Sequence, residues 1–409
     1  MGADIIIRSN CIISCCEDSS YTTDGFVVIE KNRIIQVGEG DVPFDIIGPA
    51  TRLIDARGQT VIPGLIDAHT HLIHAGSREN ELALKLRGVP YLQILKQGGG
   101  ILSTVAGTRK ASKEELKAKA RRSLDEMLIH GTTTVEAKSG YGLDLENEVK
   151  CLEAARELNQ EHPVDIISTY LGAHAVPNEY LGNTAGYITF MTDQVMPWIA
   201  SHNLAEFMDV FCEDGVFSPD EARILMKSGQ NLGFKLKIHA DEIVPLQGAE
   251  LAAEMQAISA DHLLAASDAG LKAMAKAGVT AVLLPGTSFY LMMGRYANVR
   301  TMIDMGIRVA LATDYNPGTC PTENLQAVMT FACFGMKLSP EEILRGMTIN
   351  AAYALDRAAE IGTIEAGKRA DLVILNAPNW NYVIYHFGIN HVDKVLKNGI
   401  LVAEQGRLV

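Results

Sequence analysis

Two histidines, His69 and His71, stand one residue apart where the apolar run "VIPGLIDAHTHL" gives out. Side chains at i and i+2 of an extended segment point to one face, so both imidazoles project together. Two converging nitrogen donors begin a metal site, and further donors must come from elsewhere in the chain. His239 in "KLKIHADE", His262 in "SADHL", His174 in "GAHAVP" and Asp314 in "ALATD" each lie at the end of another apolar run. His69, His71, His239 and Asp314 make a three-imidazole, one-carboxylate set that suits Zn2+ or Fe and leaves a position for water. A cation so held brings the pKa of that water toward neutrality. Glu242, just beyond His239, is placed to take a proton from the water and hand it to a leaving nitrogen. His262 can polarise a carbonyl oxygen or act as a further ligand. Asp241, beside Glu242 in "HADE", is expected to be a loop carboxylate facing solvent.

What must position these groups is a set of strand ends brought to one place. The runs "VIPGLIDAHTHL", "TTTVEAKSG", "VDIISTYLGAHA", "MDVFCE", "KLKIHADE", "AISADHL", "TAVLLPG" and "RVALATD" read as strands. Helical patterns such as "SKEELKAKARRSLDEMLIHG" and "NEVKCLEAARELNQE" lie among them. Eight strands alternating with helices predict an α/β fold with a closed (β/α)8 TIM-like barrel, whose chemistry gathers at the C-terminal strand ends. Both termini differ from this middle: "GFVVIEKNRIIQVG" and "HVDKVLKNGILVAEQG" read as β-hairpins. The expected division is a small β-sandwich domain built from residues 1–62 and 362–409 around a catalytic barrel of residues 63–361.

Size and composition fit this reading. The 409 residues are 47% hydrophobic and 21% charged, an ordinary globular balance with enough chain for a large core. A formal net charge of −13 argues against nucleic acid or anionic membrane as partner, while leaving room for a local basic pocket. No apolar stretch reaches membrane-spanning length, and the start of the chain does not read as a signal peptide. Seven cysteines without a Cys-x-x-Cys pair suggest reduced thiols and a cytoplasmic setting.

Arg78 in "HAGSREN" can fork onto a carboxylate, and Tyr141 and His174 are pocket candidates that spacing alone does not prove. His74, His130, His162, His202, His386 and His391 lack comparable placement and read as structural or surface. No base marks Cys320 as a nucleophile, and the glycine run at 98–100 is read as a flexible lid.

Taken together, the metal-type residues and the strand pattern resemble the amidohydrolase superfamily, over nearly the whole chain. The ordered strings "HAGSREN", "QGGGILSTVAGTR", "SGYGL", "LGAHAVPNEY", "FCEDGVFS", "HADE", "LLPGTSFYL" and "ATDYNPGT" are similar to its branch that opens the ring of 4-imidazolone-5-propanoate. The resemblance implies hydrolysis of this small molecule to N-formimidoyl-L-glutamate in L-histidine degradation. By matching positions, His69, His71, His239 and Asp314 hold one Zn2+ or Fe ion per subunit. Arg78, Tyr141, His174 and Glu242 contact the substrate, and Asn316, Gly318 and Thr319 line the pocket. Glu242 relays the proton, His262 steadies the oxyanion, Asp314 assists as ligand and base, and a homodimer is the expected assembly. Two-metal relatives bridge their ions with a carboxylated lysine at the end of the fourth strand, where "MDVFCE" has none. A heterocycle deaminase shares the His and Glu placements and is the nearest alternative; a ligand-free interaction protein on this fold is the remote one.

Overall fold

In a computed structural model, residues 3–17, 24–89 and 99–409 are described. An eight-stranded parallel sheet forms the centre. Its strands are β1 (Leu65–Asp67), β2 (Thr132–Lys138), β3 (Asp165–Ala173) and β4 (Phe207–Cys212), followed by β5 (Lys235–Ala240), β6 (Ser259–His262), β7 (Thr280–Leu283) and β8 (Val309–Leu311). Each pairs in parallel with the next in chain order. Helices cover the outer face and the barrel interior is filled, so these strands are buried on both sides; every residue of β2, for example, is buried.

Closure from β8 back to β1 takes place beyond the strands themselves. Thr70 and Tyr315 form a parallel bridge, Asp314 N donates to His69 O at 3.0 Å, and His71 N donates to Tyr315 O at 2.9 Å. The seam that shuts the barrel is therefore written in the residues predicted to hold the metal.

The run "VIPGLIDAHTHL" is not one strand as expected. Thr60–Pro63 belongs to an outer sheet and β1 to the barrel, with the break at Gly64. A Cβ at Gly64 would sit 2.3 Å from Thr133 Oγ1, so only glycine lets the chain pass from one sheet to the other so close to β2. The outer sheets come from both ends of the chain. One has four strands, Arg33–Glu39, Gly25–Glu30, Ile5–Ser9 and Arg52–Asp55, all N-terminal. The other has six, pairing Cys11–Ile12 and Thr60–Pro63 with Leu372–Leu375, Val392–Lys397, Ile400–Glu404 and Arg407–Leu408. Ile7, Val27, Ile29 and Ile34 meet Val61, Leu372, Ile374 and Leu396 in one apolar cluster between them, the alternate residues of each strand pointing inward.

Helices begin where side chains can satisfy the first free backbone N–H groups. Ser112 with Glu115 and Ser218 with Glu221 form reciprocal caps at the starts of Lys113–Ile129 and Pro219–Asn231. Among the described residues no helix is long and apolar enough to cross a membrane.

Candidate active site

His69 and His71 lie just past β1, and the Nε2 atoms of both face one oxygen: Asp314 Oδ1 is 3.4 Å from His69 and 3.5 Å from His71. Asp314 is in the left-handed region at φ 55°, and its other oxygen accepts from Thr287 Oγ1 at 2.6 Å. His239 ends β5 and His262 ends β6, with ring centroids 4.6 Å and 5.5 Å from that of His69. Two groups offer ligand atoms within 4.8 Å of one another, His69–His71–Asp314 and His69–His239–His262, and His69 belongs to both. All five side chains are buried.

The donor set fits a cation. His69 Nδ1 donates to Asp261 Oδ2 at 2.6 Å, and His239 Nδ1 lies 3.0 Å from Asp209 Oδ2. Carboxylates on Nδ1 fix the tautomer and aim the Nε2 lone pair outward. The Nε2 atoms of His69 and His239 are buried without a hydrogen-bond partner, and His239 Nδ1 reaches Asp209 only as a 3.0 Å ion pair, which is costly unless something positive sits there. Burial drives the pKa values of His69, His71 and His262 well down, the nearby cationic groups adding to this and the carboxylates beside His69 and His262 opposing it. For His239 burial works against the charged form, but the Asp209 carboxylate prevails and raises it. Neutral imidazoles are the form a metal needs.

Above these rings opens a cavity of about 370 Å³, walled by His71, Tyr141, His174, Glu242, Asp314 and Thr319 among others, a size suited to a small ligand. Glu242 Oε1 is 3.6 Å from His262 Nδ1. Burial first, and the Asp314 charge second, push the Glu242 carboxyl up to about 8. Burial likewise lifts Asp314 to about 6. His174 stacks on His71 at 4.7 Å between centroids, and its Nδ1–H donates to Gly140 O at 3.0 Å; burial lowers it to about 3. At the other side of the cavity, Arg78 Nε and Nη2 donate to Glu81 Oε1 and Oε2 at 2.9 and 2.8 Å. Lys85 stands beside them and donates to Gly318 O at 2.6 Å.

Residues 90–383 match the Amidohydrolase family. The imidazolonepropionase of Treponema denticola is 59% identical over 98% of each chain, and that of Alkaliphilus oremlandii is 57% identical over 96% of this chain and 93% of its own. The chain belongs to the imidazolonepropionase family of amidohydrolases. The fold is shared more widely. A zinc- and atraton-bound atrazine chlorohydrolase variant from Arthrobacter aurescens superposes with a TM-score of 0.77 at 19% identity, covering 99% of this chain and 96% of its own. A zinc-bound adenosine deaminase from Xanthomonas campestris gives 0.73 at 18%, covering 100% and 94%.

In this imidazolonepropionase-family chain, His71, Arg78, Tyr141, His174, His239, Glu242, His262, Asp314, Asn316 and Thr319 line one cavity, with His69 beside it, though some are placed otherwise than expected. Asn316 lines the cavity, yet its amide is committed to the loop. Nδ2 donates to Asp314 O and Thr319 Oγ1, each at 2.7 Å, and Oδ1 accepts from the N–H groups of Gly318 and Thr319, each at 2.8 Å. Asp241 does not face solvent as expected. It is 1% exposed, and its carboxylate accepts from the N–H groups of Leu246, Gly248 and Ala249 at 2.7, 3.1 and 2.9 Å. It thereby ties down the loop that carries Glu242. His74, read as structural, is buried with Nδ1 donating to His71 O at 2.8 Å. Of the 98–100 glycines, Gly98 lies outside the described residues, and Gly100 N donates to Glu81 Oε1 at 2.7 Å.

Sequence reasoning missed the carboxylates behind the imidazoles, Asp209 and Asp261, and the pocket cation Lys85. The first two were visible as acids inside apolar strands, "MDVF" and "SADH", a placement that demands a buried partner. Lys85, on an amphipathic stretch rich in charge, carried no such signal.

Proposed function

We infer that this chain opens the ring of 4-imidazolone-5-propanoate by hydrolysis, yielding N-formimidoyl-L-glutamate in histidine degradation. The observation that carries the reading is one cavity with unpartnered imidazole nitrogens and buried carboxyls at its floor and a guanidinium with a second cation at its side. A carboxylate-tailed, carbonyl-bearing ring needs both. His69, His71, His239 and Asp314 would hold a zinc or iron ion, one per subunit. Such an ion supplies an acidified water and polarises the carbonyl it contacts.

The chain's own groups do the rest. Arg78, held in place by its two bonds to Glu81, grips the propionate, and Lys85 adds the charge that Glu81 removes. Tyr141 and His174 flank the imidazolone ring, the neutral His174 ring presenting Nε2 as an acceptor. Thr319 and the tight loop at Asn316 and Gly318 close the propionate side. Glu242 takes a proton from the attacking water and delivers it to the ring nitrogen as the C–N bond breaks. A carboxyl whose proton affinity burial has raised toward neutral suits that two-way transfer. His262, within reach of Glu242, steadies the negative charge growing on the carbonyl oxygen. Asp314 orients beside His69 and His71 and serves as the second base.

The test follows the loss of imidazolone propionate absorbance with zinc-loaded, iron-loaded and chelated protein. Turnover by a loaded form and none after chelation supports the reading, and turnover indifferent to chelation refutes it.

A further inference from the structure

Lys138 ends β2 with its side chain fully buried, beneath the imidazoles and outside the cavity wall. Burial alone would strip its proton, yet Asp209, Glu136 and Asp261 more than reverse this and raise its pKa. Its Nζ lies 2.7 Å from Asp209 Oδ2, 3.1 Å from Glu136 Oε1 and 3.3 Å from Asp261 Oδ2. The oxygens involved are decisive. Asp261 Oδ2 is the atom that receives His69 Nδ1–H, and Asp209 Oδ2 is the atom 3.0 Å from His239 Nδ1. Each carboxylate has its other oxygen pinned elsewhere: Ser259 Oγ donates to Asp261 Oδ1 at 2.7 Å, and His239 N donates to Asp209 Oδ1 at 3.2 Å. One ammonium group thus bridges strands β4 and β6, on either side of β5, and fixes the orienting oxygens of two imidazoles that come from opposite parts of the barrel.

We propose that Lys138 is a positioning residue for the metal centre: it clamps Asp209 and Asp261 so that His69 and His239 present their Nε2 atoms to a single point. This rests on the metal reading above. Without the ammonium, two buried carboxylates face each other with no cation between them. They repel, rotate off their histidines, or take up protons, and each escape releases a ligand ring. Lys237, 3.0 Å from Glu136 Oε1, adds positive charge toward Asp261 but forms no ion pair with Asp209 or Asp261 among those described, so it does not hold the two orienting oxygens together.

The probe is Zn2+ itself, titrated against a chromophoric chelator into the demetallated full-length protein. The ligand-field spectrum of the Co2+-substituted protein gives a second readout. Lys138→Met is expected to weaken zinc binding about 10- to 100-fold, the range found for groups behind metal ligands, and to alter the cobalt spectrum. Should that variant fail to fold, Asp209→Asn and Lys138→Met/Asp209→Asn remove charge singly and as a balanced pair. The pair is expected to bind zinc more weakly than Asp209→Asn alone, because Asp261 has lost its clamp. A purely structural lysine would lower thermal stability while leaving zinc affinity and the cobalt spectrum as in the wild type, and that result overturns the proposal. If the wild-type chain binds none of zinc, cobalt and iron, the metal reading falls; if only the Lys138 variants match wild type, the clamp alone falls.

Discussion

Replacing Gly318 with alanine tests the propionate grip without removing any charge. A Cβ at this position would stand 2.1 Å from Arg78 Nη1 and 2.7 Å from Cζ. The φ of Gly318 is not positive, so the strain comes from the nearest obstruction, Arg78. A long side chain could ordinarily swing away, but Arg78 is tied through Nε and Nη2 to Glu81. Glu81 is in turn tied to Gly100 N at 2.7 Å and sits 3.5 Å from Lys85 Nζ. Relieving the clash to an ordinary contact requires the guanidinium to move by roughly 1 Å, which breaks at least one charge-assisted bond or misplaces the grip. Either outcome forfeits about 1.5–3 kcal/mol, or about 10- to 150-fold in kcat/KM. The loss should appear in KM for imidazolone propionate, with zinc content unchanged and little effect on a methyl-ester analogue. Arg78→Gln should give a loss of similar size. In that background the Gly318→Ala step should become nearly silent, because the shorter side chain leaves room for the methyl group. Additive losses, or equal losses for acid and ester, would refute the idea that Gly318 is small for the sake of Arg78.

Three further outcomes follow from the same geometry. Glu242→Gln should lower kcat about 10²- to 10⁴-fold at unchanged metal content, by turnover and elemental analysis; near-normal turnover would remove Glu242 from proton transfer. Burial and then the Lys119 charge hold His74 down to about 3, against an ordinary value near 6.5. The unfolded chain therefore binds a proton that the native chain refuses between those values, and stability falls as pH drops through 6.5, by up to about 1.4 kcal/mol per pH unit. His74→Asn should flatten that slope in urea titrations of chelated protein between pH 7 and 5; an unchanged slope contradicts the burial argument. Chelation should speed hydrogen exchange at the His71 and Asp314 amides, which close the β8–β1 seam, more than at Leu236 and Ile238 in β5; uniform protection would show that the ion does not brace the seam.

The eight strands, and the meeting of the candidate histidines and Asp314 at one place, were legible because each obeys a local rule. A parallel strand buried on both faces is an apolar run, and a functional histidine stands at its end. What was not legible depends on partners far away in sequence. His69 meets Asp261 across 192 residues, and nothing in "SADHL" distinguishes an acid that aims a distant imidazole from one that caps a turn. Asp241 was misread for the opposite reason: as a polar residue in a polar stretch it resembles solvent-facing loop, yet three backbone N–H groups draw it inward. The split of "VIPGLIDAHTHL" into two sheets turns on a single glycine, whose need appears only once Thr133 is seen against it. Periodicity reports which face is buried and is silent on which neighbour does the burying.

Charge shows how an acidic protein can serve an anionic substrate. Beneath and beside the imidazoles, Asp209, Asp261, Glu136 and Asp314 stand against Lys138 and Lys237, an excess of negative charge that a cation relieves. At the side of the cavity, Arg78 and Lys85 stand against Glu81, a formal excess of one positive charge that one carboxylate cancels. Each compartment is thus unbalanced by the charge of what it is meant to hold. The separation matters because fields in a buried site decay slowly. Had the cations of the mouth lain at the floor, they would have repelled the ion that the imidazoles await. A floor acid moved to the mouth would have turned away the propionate.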